Sequence, residues 1–429
     1  MEILLSVAVA LFAGLMMTRV IKPLGLPAVT GYLVAGVLIG PFCLGLLGIE
    51  GLGFTTMEYV GRFGLIADVA LGFIAFSIGN EFRLSQLRQI GKQATVIAIF
   101  QALTATLFVD LALCGLSLIL GPEKLPMSVA ITLGAVATAT APAATLMVVR
   151  QYKAKGKLTD ILLPIVALDD AVGLIVFAVS FGIAKGMVSG SIDVFSILVN
   201  PLVEILCSLL LGAVMGFVFA QVEKLFHSRS KRLSVSVMFV ILTVGITMMK
   251  FHVGPIHIAF SPLLACMMLG TIFCNVCESS EELMDRVDRW TTPIFVLFFV
   301  ISGAELELDV FLDLAIVGIG LVYILFRSLG KYFGAYASAK FVKCDDSIVK
   351  YLGITLLPQA GVALGMSVTA MQLGGYEGSL IRNIILFSVL IYELVGPMLT
   401  KMALTAAGEI IPHERKSSKV INPDRIEKK

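Results

Sequence analysis

The sequence predicts an all-α polytopic membrane protein in which about thirteen apolar helices cross a bilayer. Three observations indicate this class. The chain of 429 residues is 58% hydrophobic and only 14% charged, whereas soluble domains carry about 25% charged residues. Long apolar runs recur along the sequence, and many approach the roughly 20 residues that a spanning helix needs. Basic residues gather in alternate connections between those runs, as expected for a membrane topology.

The apolar runs predict spans joined by connections of varied length. Their predicted positions are residues 2–20, 28–48, 61–81, 93–120, 126–149, 161–184, 195–222, 233–250, 255–277, 291–304, 310–340, 348–372 and 380–406. The first segment lacks a basic n-region and a small-residue cleavage site, so we expect it to span the membrane. The seven cysteines lie mostly within apolar runs, which indicates buried thiols rather than a disulfide framework.

The distribution of Lys and Arg predicts the orientation. Connections such as 150–157 and 224–232 are basic, whereas the connection before span 11 is acidic, with Glu305, Glu307 and Asp309 followed by Asp313 at the start of the span. By the positive-inside rule the C-terminus is expected in the cytoplasm and, with an odd number of spans, the N-terminus outside. The predicted location is the cell (inner) membrane, as a multi-pass protein.

Two adjacent carboxylates lie inside the sixth predicted span. Asp169 and Asp170 follow residue 161, the inner end of that span, by eight and nine residues. They therefore lie roughly 13 Å deep at about 1.5 Å per residue. An ionised carboxylate near the bilayer centre costs about 2.5–3.5 kcal/mol even on insertion scales. Pairing with basic neighbours for packing alone is the alternative, but two such residues side by side favour a functional site.

Two basic residues lie inside the eleventh predicted span. Arg327 and Lys331 are four residues apart and therefore share one helix face. Lys331 is nine residues from the inner end at residue 340, hence also roughly 13 Å deep. A cation and a carboxylate pair at one depth are expected to interact, because either charge alone is costly in a low dielectric. Snorkelling of Lys331 to the interface is the alternative.

Two further carboxylates are candidate cavity or supporting residues. Asp68 in the third span lies about 22 Å from the inner boundary, and Arg327 lies at roughly 20 Å. A meeting of these two across a water-filled cavity and a purely structural role of Asp68 are equal alternatives. Glu393 in the last span lies about 12 Å above Lys401 and is expected to compete for Lys331 or to cap a broken helix.

Spans 5 and 12 are predicted to be interrupted at mid-depth. Pro142 removes a backbone donor close to Thr138 and Thr140, and Pro358 does the same beside Gln359, a candidate supporting residue. A break at this depth is tolerated where protein buries it or where it lines a cavity. Interrupted segments in two halves of a chain indicate a transporter's binding site. An ordinary proline kink is the alternative for one span alone, but the two together predict a crossed pair.

These residue types fit the exchange of a cation for a proton. A carboxylate is a hard oxygen ligand for a small alkali cation, and hydroxyls, freed carbonyls and water complete its shell. Desolvation favours the protonated form of the same group, so proton and cation compete for one site. The expected partners are a monovalent cation, a proton and the lipid bilayer, without nucleic acid. Neither an enzymatic activity nor a cofactor is predicted.

Several motifs resemble those of one transporter family. They are the opening signature, the first broken helix, the ion-binding motif, the intramembrane lysine stretch and the second broken helix, at residues 26–41, 137–140, 168–173, 327–334 and 361–367. Over nearly its whole length the chain resembles the monovalent cation:proton antiporter superfamily, in the sodium/proton antiporter branch with a paired-aspartate motif. One departure is Ala139, where some relatives carry an aspartate.

The resemblance implies a secondary active antiporter that exchanges Na⁺ (or Li⁺) for H⁺ by elevator-type alternating access, electrogenically and as a homodimer. It implies that Asp170 binds the cation, that Asp169 pairs with Lys331, and that Thr138 and Thr140 line the site. It also implies a division into scaffold, core, linker helix, scaffold, core and cytoplasmic polar tail. In that scheme scaffold helices occupy 1–92 and 233–304, core inverted repeats 93–185 and 310–406, the linker 195–222 and the tail 407–429.

Other functions fit parts of the pattern. A K⁺/H⁺ antiporter of the same fold stays an open alternative. A Na⁺-coupled organic-anion symporter would need a larger polar cavity and no lysine opposite the aspartates, so Lys331 argues against it. An intramembrane aspartyl protease needs two carboxylates that face each other from different helices. Asp169 and Asp170 are instead neighbours that point about 100° apart on one helix.

Overall fold

The computed structural model describes residues 2–49, 53–80, 82–189, 194–249, 251–253, 256–258, 260–277, 280–306, 308 and 313–410. Within these ranges the chain is nearly all helical, apart from one pair of short strands. Nine of the described helical segments are long and apolar enough to cross a membrane, and four further apolar helices are shorter. The predicted fold class is confirmed, whereas the number of membrane crossings stays a prediction.

The first half of the chain forms eight helices. In chain order they are α1 (Glu2–Ile21), α2 (Ala28–Ile39), α3 (Met57–Gly61), α4 (Gly64–Asn80), α5 (Leu84–Leu120), α6 (Met127–Val136), α7 (Pro142–Tyr152) and α8 (Lys157–Ser189). Single 3-10 turns follow α1 and α2 at Lys22–Leu24 and Leu44–Leu47. α5 begins at Leu84, so the fourth span starts earlier than the predicted residue 93, and the proposed domain boundary there stays a prediction. The reason is that a hydropathy window excludes a charged first turn that a helix tolerates.

The second half forms eight more helices and the strand pair. In chain order they are α9 (Val194–Glu223), α10 (Arg229–Thr247), β1 (Phe251–Val253), β2 (Ile256–Ile258), α11 (Pro262–Val276), α12 (Ser280–Ala304), α13 (Leu314–Phe341), α14 (Asp346–Thr355), α15 (Gly361–Ala370) and α16 (Gly375–Ala406). A 3-10 turn at Met371–Leu373 links α15 to α16. The two strands pair antiparallel.

Two predicted spans begin elsewhere in the structure. Span 9 was placed from residue 255, but the strand pair occupies that region and α11 starts with Pro262 at its first turn. The Ser261 hydroxyl accepts from the Leu264 N–H at 3.3 Å, which caps the helix. α12 begins at Ser280 rather than at 291, because its first turns are amphipathic and charged. The predicted interruptions of spans 5 and 12 are present between α6 and α7 and between α14 and α15.

Buried apolar side chains form three clusters. The first cluster joins α1, α2, α4 and α9–α12, and it reaches α7 and α8 through Ala143 and Ala167. The second cluster joins α6, α15 and α16 to one end of α5, α8 and α13. The third cluster joins α14 and part of α7 to the other end of α5, α8 and α13. The second and third clusters therefore lie on either side of the middle of these three long helices.

The last described segment closes back onto α8. The Glu409 carboxylate accepts from the Leu158 N–H at 2.6 Å, the Thr159 N–H at 2.8 Å and the Thr159 hydroxyl at 2.7 Å. A carboxylate at this helix end satisfies free N–H groups and complements the positive end of the helix dipole. Residues 411–429, most of the predicted polar tail, lie outside the described residues.

Small residues let α4 and α11 approach closely. A Cβ atom added to Gly79 would overlap the carbonyl of Met267, and one added to Gly270 would overlap the carbonyl of Phe76. Each helix thus presents a glycine to the backbone of the other, which is a usual way for helices to pack in a membrane. The first cluster depends on this close contact.

We expect Gly79→Ala to lower the melting temperature of the detergent-solubilised protein, since overpacking costs about 1–3 kcal/mol. Gly115→Ala is the matched control, because Gly115 has open space around its Cβ position and alanine is the better helix former by roughly 0.5–1 kcal/mol. Thermal unfolding of both variants checks the difference. Equal melting temperatures would show that the α4–α11 contact is looser than described.

Candidate functional site

The two helix breaks cross each other in the middle of the bundle. The backbone N–H of Ala141, in the first break, donates to the carbonyl of Pro358, in the second, at 2.8 Å. The Gln359 side chain donates to the carbonyl of Val136 at 3.1 Å and to the Tyr323 hydroxyl at 2.9 Å. These bonds satisfy polar groups that the interruptions release. The breaks are therefore held together as one unit.

Arg327 binds the carbonyls of both breaks. Its guanidinium donates to Ala137 O at 3.1 Å, Ala139 O at 2.6 Å and Leu357 O at 2.7 Å. It also stacks on the Tyr392 ring, with 4.5 Å from Cζ to the ring centroid. These carbonyls follow the C-terminal ends of α6 and α14, where the helix dipoles are negative. The buried positive charge thus complements two helix ends.

Lys331 lies one turn farther along α13 and is fully buried. Its ammonium donates to Thr138 O at 2.5 Å, to the Thr140 hydroxyl at 2.9 Å and to Asp169 Oδ2 at 2.8 Å. Three acceptors match the three donors of an ammonium group. The structure therefore brings together four of the predicted site residues, with Lys331 and Asp169 in direct contact.

The Asp169 carboxylate has partners on both oxygens. Oδ1 accepts from the Gln101 amide, and Oδ2 accepts from the Thr140 hydroxyl and from Lys331. Asp169 and Lys331 are both 0% exposed. A buried ion pair is tolerated only where further hydrogen bonds satisfy its remaining atoms. Here α5, α8, α13 and the first break each supply part of that shell.

Asp170 is also buried, at 3% exposure, yet neither of its carboxylate oxygens has a hydrogen-bond partner among the described residues. It shares a helix face with Ala167 and Leu174, both of which pack against the first cluster. Asp169 faces α5 and α13 instead. The two neighbouring carboxylates therefore have different surroundings, and Asp170 lies on the face of α8 that packs against the first cluster.

The two predicted threonines have different surroundings. The Thr138 hydroxyl donates to Ala135 O at 2.7 Å, and Gly173 of α8 lies against this hydroxyl. The Thr140 hydroxyl lies between Lys331 and Asp169. The Thr140 hydroxyl therefore lies beside Asp169, and the Thr138 hydroxyl lies beside Gly173, three residues after Asp170 on α8. Hydroxyl oxygens are suitable ligands for alkali cations.

Two predicted supporting residues lie away from this cluster. Arg327 uses its described donors on backbone carbonyls, so its meeting with Asp68, one of the two equal alternatives, is not seen in the described contacts. Glu393 is buried, and its Oε2 has no partner among the described atoms, so the expected contact with Lys331 or with a helix break is likewise not seen. Asp68 interacts electrostatically with Glu305, and Glu305 in turn interacts with Glu393. Residues at equal predicted depth on separate helices need not lie on the helix faces that contact each other.

Sequence reasoning missed two polar residues of α5. Gln101 contacts Asp169, and Asp110 has a buried Oδ1 without a partner among the described residues. The search for intramembrane charges that found Asp169 would also have found Asp110, which lies in the fourth predicted span. Gln101 carries no charge, so such a search passes over it, although a glutamine within a long apolar run is itself a signal.

The comparison with protein families identifies the chain. The family described as "Sodium/hydrogen exchanger, transmembrane" matches residues 7–406. The high-affinity Na⁺/H⁺ antiporter NhaS3 of Synechocystis sp. is 25% identical over 336 residues, which are 72% of this chain and 69% of that protein. The Na⁺/H⁺ antiporter of Enterococcus hirae is 23% identical over 416 residues, which are 94% and 98% of the two chains.

A solved structure has the same fold. The sodium proton antiporter MjNhaP1 of Methanocaldococcus jannaschii at pH 8 superposes with a TM-score of 0.68 at 18% identity, over 96% of this chain and 99% of that one. At this identity the likeness concerns the fold alone. With a family match that extends over nearly the whole sequence, the chain belongs to the sodium/hydrogen exchanger family of membrane transport proteins.

Proposed function

We propose that the chain exchanges Na⁺ or Li⁺ for H⁺ and that Asp170 is the group at which the two ions compete. Membership of the family makes the chain a cation/proton antiporter. The observation that carries the assignment to Asp170 is its buried carboxylate, which has no partner on either oxygen among the described residues. Its neighbour Asp169 is fully hydrogen-bonded. A carboxylate without fixed partners is the one that can bind and release an ion.

The proposed binding step follows from the surroundings of Asp170. An ionised carboxylate there is stabilised either by a proton or by a hard cation, because burial disfavours the bare charge. Oxygen atoms of the first break and water complete the coordination of the cation. Thr138 and Thr140 are the proposed side chains that line this site. Binding of the cation then releases the proton, and the reverse step reloads it.

We further propose that Asp169 and Lys331 make the exchange electrogenic. In one state Lys331 neutralises Asp169, as in the contact at 2.8 Å. In another state the pair separates, and Lys331 alone in a low dielectric releases its proton. One cation then exchanges for two protons, and each cycle moves net charge. Arg327 keeps its positive charge throughout, since a guanidinium does not deprotonate in proteins.

Elevator-type movement is proposed on the basis of packing. The second and third clusters enclose the crossed breaks, and the first cluster contains the helices assigned to the scaffold and reaches α7 and α8 of the core. This division supports a core of 93–185 and 310–406 against a scaffold of 1–92 and 233–304, with 195–222 as the linker. Polar contacts join the two bodies, as between Arg150 and Asp288 at 2.7 Å. The proposed homodimer would associate through the scaffold.

K⁺ is the alternative to Na⁺ or Li⁺ as the transported cation. The potassium/proton alternative shares every residue discussed above, and one relative is named an ammonium/H⁺ antiporter subunit, AmhT of Alkalihalophilus pseudofirmus, at 24% identity over 66% of this chain. Proton release from proteoliposomes, driven in turn by Na⁺, Li⁺, K⁺ and NH₄⁺, distinguishes them. We expect Na⁺ and Li⁺ to be active. Release by K⁺ alone would favour the alternative.

We expect Asp170→Asn to abolish cation-driven proton release, because an amide keeps the shape of the side chain but exchanges no proton. Asp160→Asn, on the exposed first turn of the same helix, is the matched control and should retain transport. The measurement is dye dequenching in proteoliposomes after addition of Na⁺. Full dequenching in Asp170→Asn would exclude Asp170 as the exchanged group.

Lys331→Gln should leave Asp169 buried without its cation. We expect a destabilisation of about 3–5 kcal/mol, as for other broken buried pairs, and residual transport that approaches one proton per cation with little net current. Lys340→Gln, exposed at the end of the same helix, is the control. Solid-supported membrane currents and Na⁺ flux, recorded on the same liposomes, give the charge per cation. A wild-type flux without net current would leave Lys331 a structural role only.

Labelling of single cysteines tests the proposed orientation. We expect cysteines at Lys155 and Ser230, both exposed, to react with an impermeant maleimide only from the cytoplasm. A cysteine at Glu123, exposed between α5 and α6, should react only from outside. The background is a variant without the native cysteines. Labelling of Lys155 and Glu123 positions from the same side would contradict the predicted topology.

A further inference from the structure

An ion pair joins the proposed core to the proposed scaffold at the predicted cytoplasmic ends of their helices. Arg150, in the last turn of α7, donates through Nη1 to Asp288 Oδ1 of α12 at 2.7 Å. The same carboxylate oxygen accepts from the Ser77 hydroxyl of α4 at 3.3 Å. The pair is partly buried, with 22% of the Arg150 side chain and 31% of the Asp288 side chain exposed. A scaffold residue therefore holds the carboxylate that Arg150 of the core contacts.

Two further core side chains make polar contacts at the same boundary. Gln151 accepts through Oε1 from the N–H of Ala28, the first residue of α2, at 2.8 Å. An N–H group at this position has no partner within its own helix. Lys401, near the end of α16, donates to the carbonyl of Gly25, and its ammonium lies 4.9 Å from the centroid of the Tyr152 ring. Both α7 and α16 are thus bonded to the chain around the start of α2.

Apolar contacts join the same two parts farther along the helices. Leu174 of α8 and Leu394 of α16 each pack against both the first and the second cluster. Packed apolar side chains can slide past one another, whereas a displacement of about 1 Å already breaks a hydrogen bond of ordinary length. The polar contacts therefore have to break when the core moves against the scaffold.

α7 connects these polar contacts to the ion site. The helix starts with Pro142, soon after Thr140 of the first break, and Arg150 follows eight residues later. The separation is about 12 Å along one uninterrupted helix. Because a helix without a break moves as one element, a displacement of the first break also displaces Arg150 and Gln151.

We propose that Arg150, Gln151 and Lys401 form a cytoplasmic latch, which holds the core against the scaffold in this structure and opens when the ion site becomes accessible from the cytoplasm. The contacts of the latch stabilise the state that is closed toward the cytoplasm, so their strength sets part of the balance between the two states. Contacts with a structural role alone would persist in both states. This inference rests on the proposed elevator-type movement.

Arg150→Gln should make the boundary between core and scaffold more accessible from the cytoplasm. The probe is Met147→Cys in a background without the native cysteines, since Met147 lies on α7 and packs against the first cluster. We expect an impermeant maleimide to label it in inside-out vesicles about two- to fivefold faster, the range for the loss of a partly exposed ion pair. Asp288→Asn should give the same increase. The double variant should show no further increase, because the two residues act as one pair.

Two more variants complete the series. Lys157→Gln is the matched control, because Lys157 also contacts a carboxylate, that of Asp345 at 2.6 Å, but both residues lie in the proposed core. It should leave the labelling rate unchanged. Lys401→Met removes the separate contact with Gly25 and should raise the labelling rate independently of Arg150.

The outcomes separate the latch from a structural role. Wild-type labelling rates in both Arg150→Gln and Lys401→Met would overturn the latch, even where the melting temperature is lower. If Arg150→Gln does not fold, a wild-type rate in Lys401→Met alone would overturn it. An equal increase in Lys157→Gln would also overturn it, since general loosening would then explain the result. Absence of cation-driven proton release from the wild type would instead refute the proposed function, while the labelling series would still test the latch.

Discussion

Backbone carbonyls that lose their helical partners in the middle of a membrane must find other donors, and the rest of this site depends on how they do so. α6 and α14 both end in the middle of the helix bundle, and the carbonyls beyond their ends converge on α13. Water is scarce at that depth, so the donors must come from side chains. Arg327 and Lys331, one turn apart, supply them. Two positive charges then need compensation, which the negative ends of the half-helices and Asp169 provide. The breaks, the basic residues and one aspartate are thus a single electrostatic unit.

The proposed division of labour between Asp169 and Asp170 follows from helix geometry. Neighbours on a helix point about 100° apart, so one side chain reaches α5 and α13 while the other faces the first cluster. Asp169 has its hydrogen bonds fixed, and Asp170 has none among the described contacts. Two adjacent aspartates therefore have different environments although they are the same residue type. An ion site that must both hold its shape and exchange its ligand needs both kinds of carboxylate.

Sequence reasoning reached the helical class, the two interruptions and the common depth of Lys331 with the aspartates, because each rests on position along one axis. Hydropathy and rise per residue report depth well. They do not report which way a helix is turned, and so equal depth alone could not decide whether Asp68 contacts Arg327 or has a purely structural role. Neutral polar residues such as Gln101 also escaped, since the cost that marks a buried charge is smaller for an amide. The start of α12 was predicted too late for a different reason. Hydropathy averages over both faces of a helix, so an amphipathic first turn does not register as part of a span.

The carboxylate of Glu409 ties the segment after the last helix to the first turn of the helix that carries both aspartates. Two stretches about 250 residues apart in sequence are thereby closed into a loop around the core. Protein engineering has to respect that closure. A truncation before residue 409 would remove the cap of α8 together with the tail, whereas fusion partners and affinity tags attached beyond residue 410 leave it in place. A loss of function on shortening the C-terminus could therefore result from the loss of the α8 cap as well as from the loss of the tail.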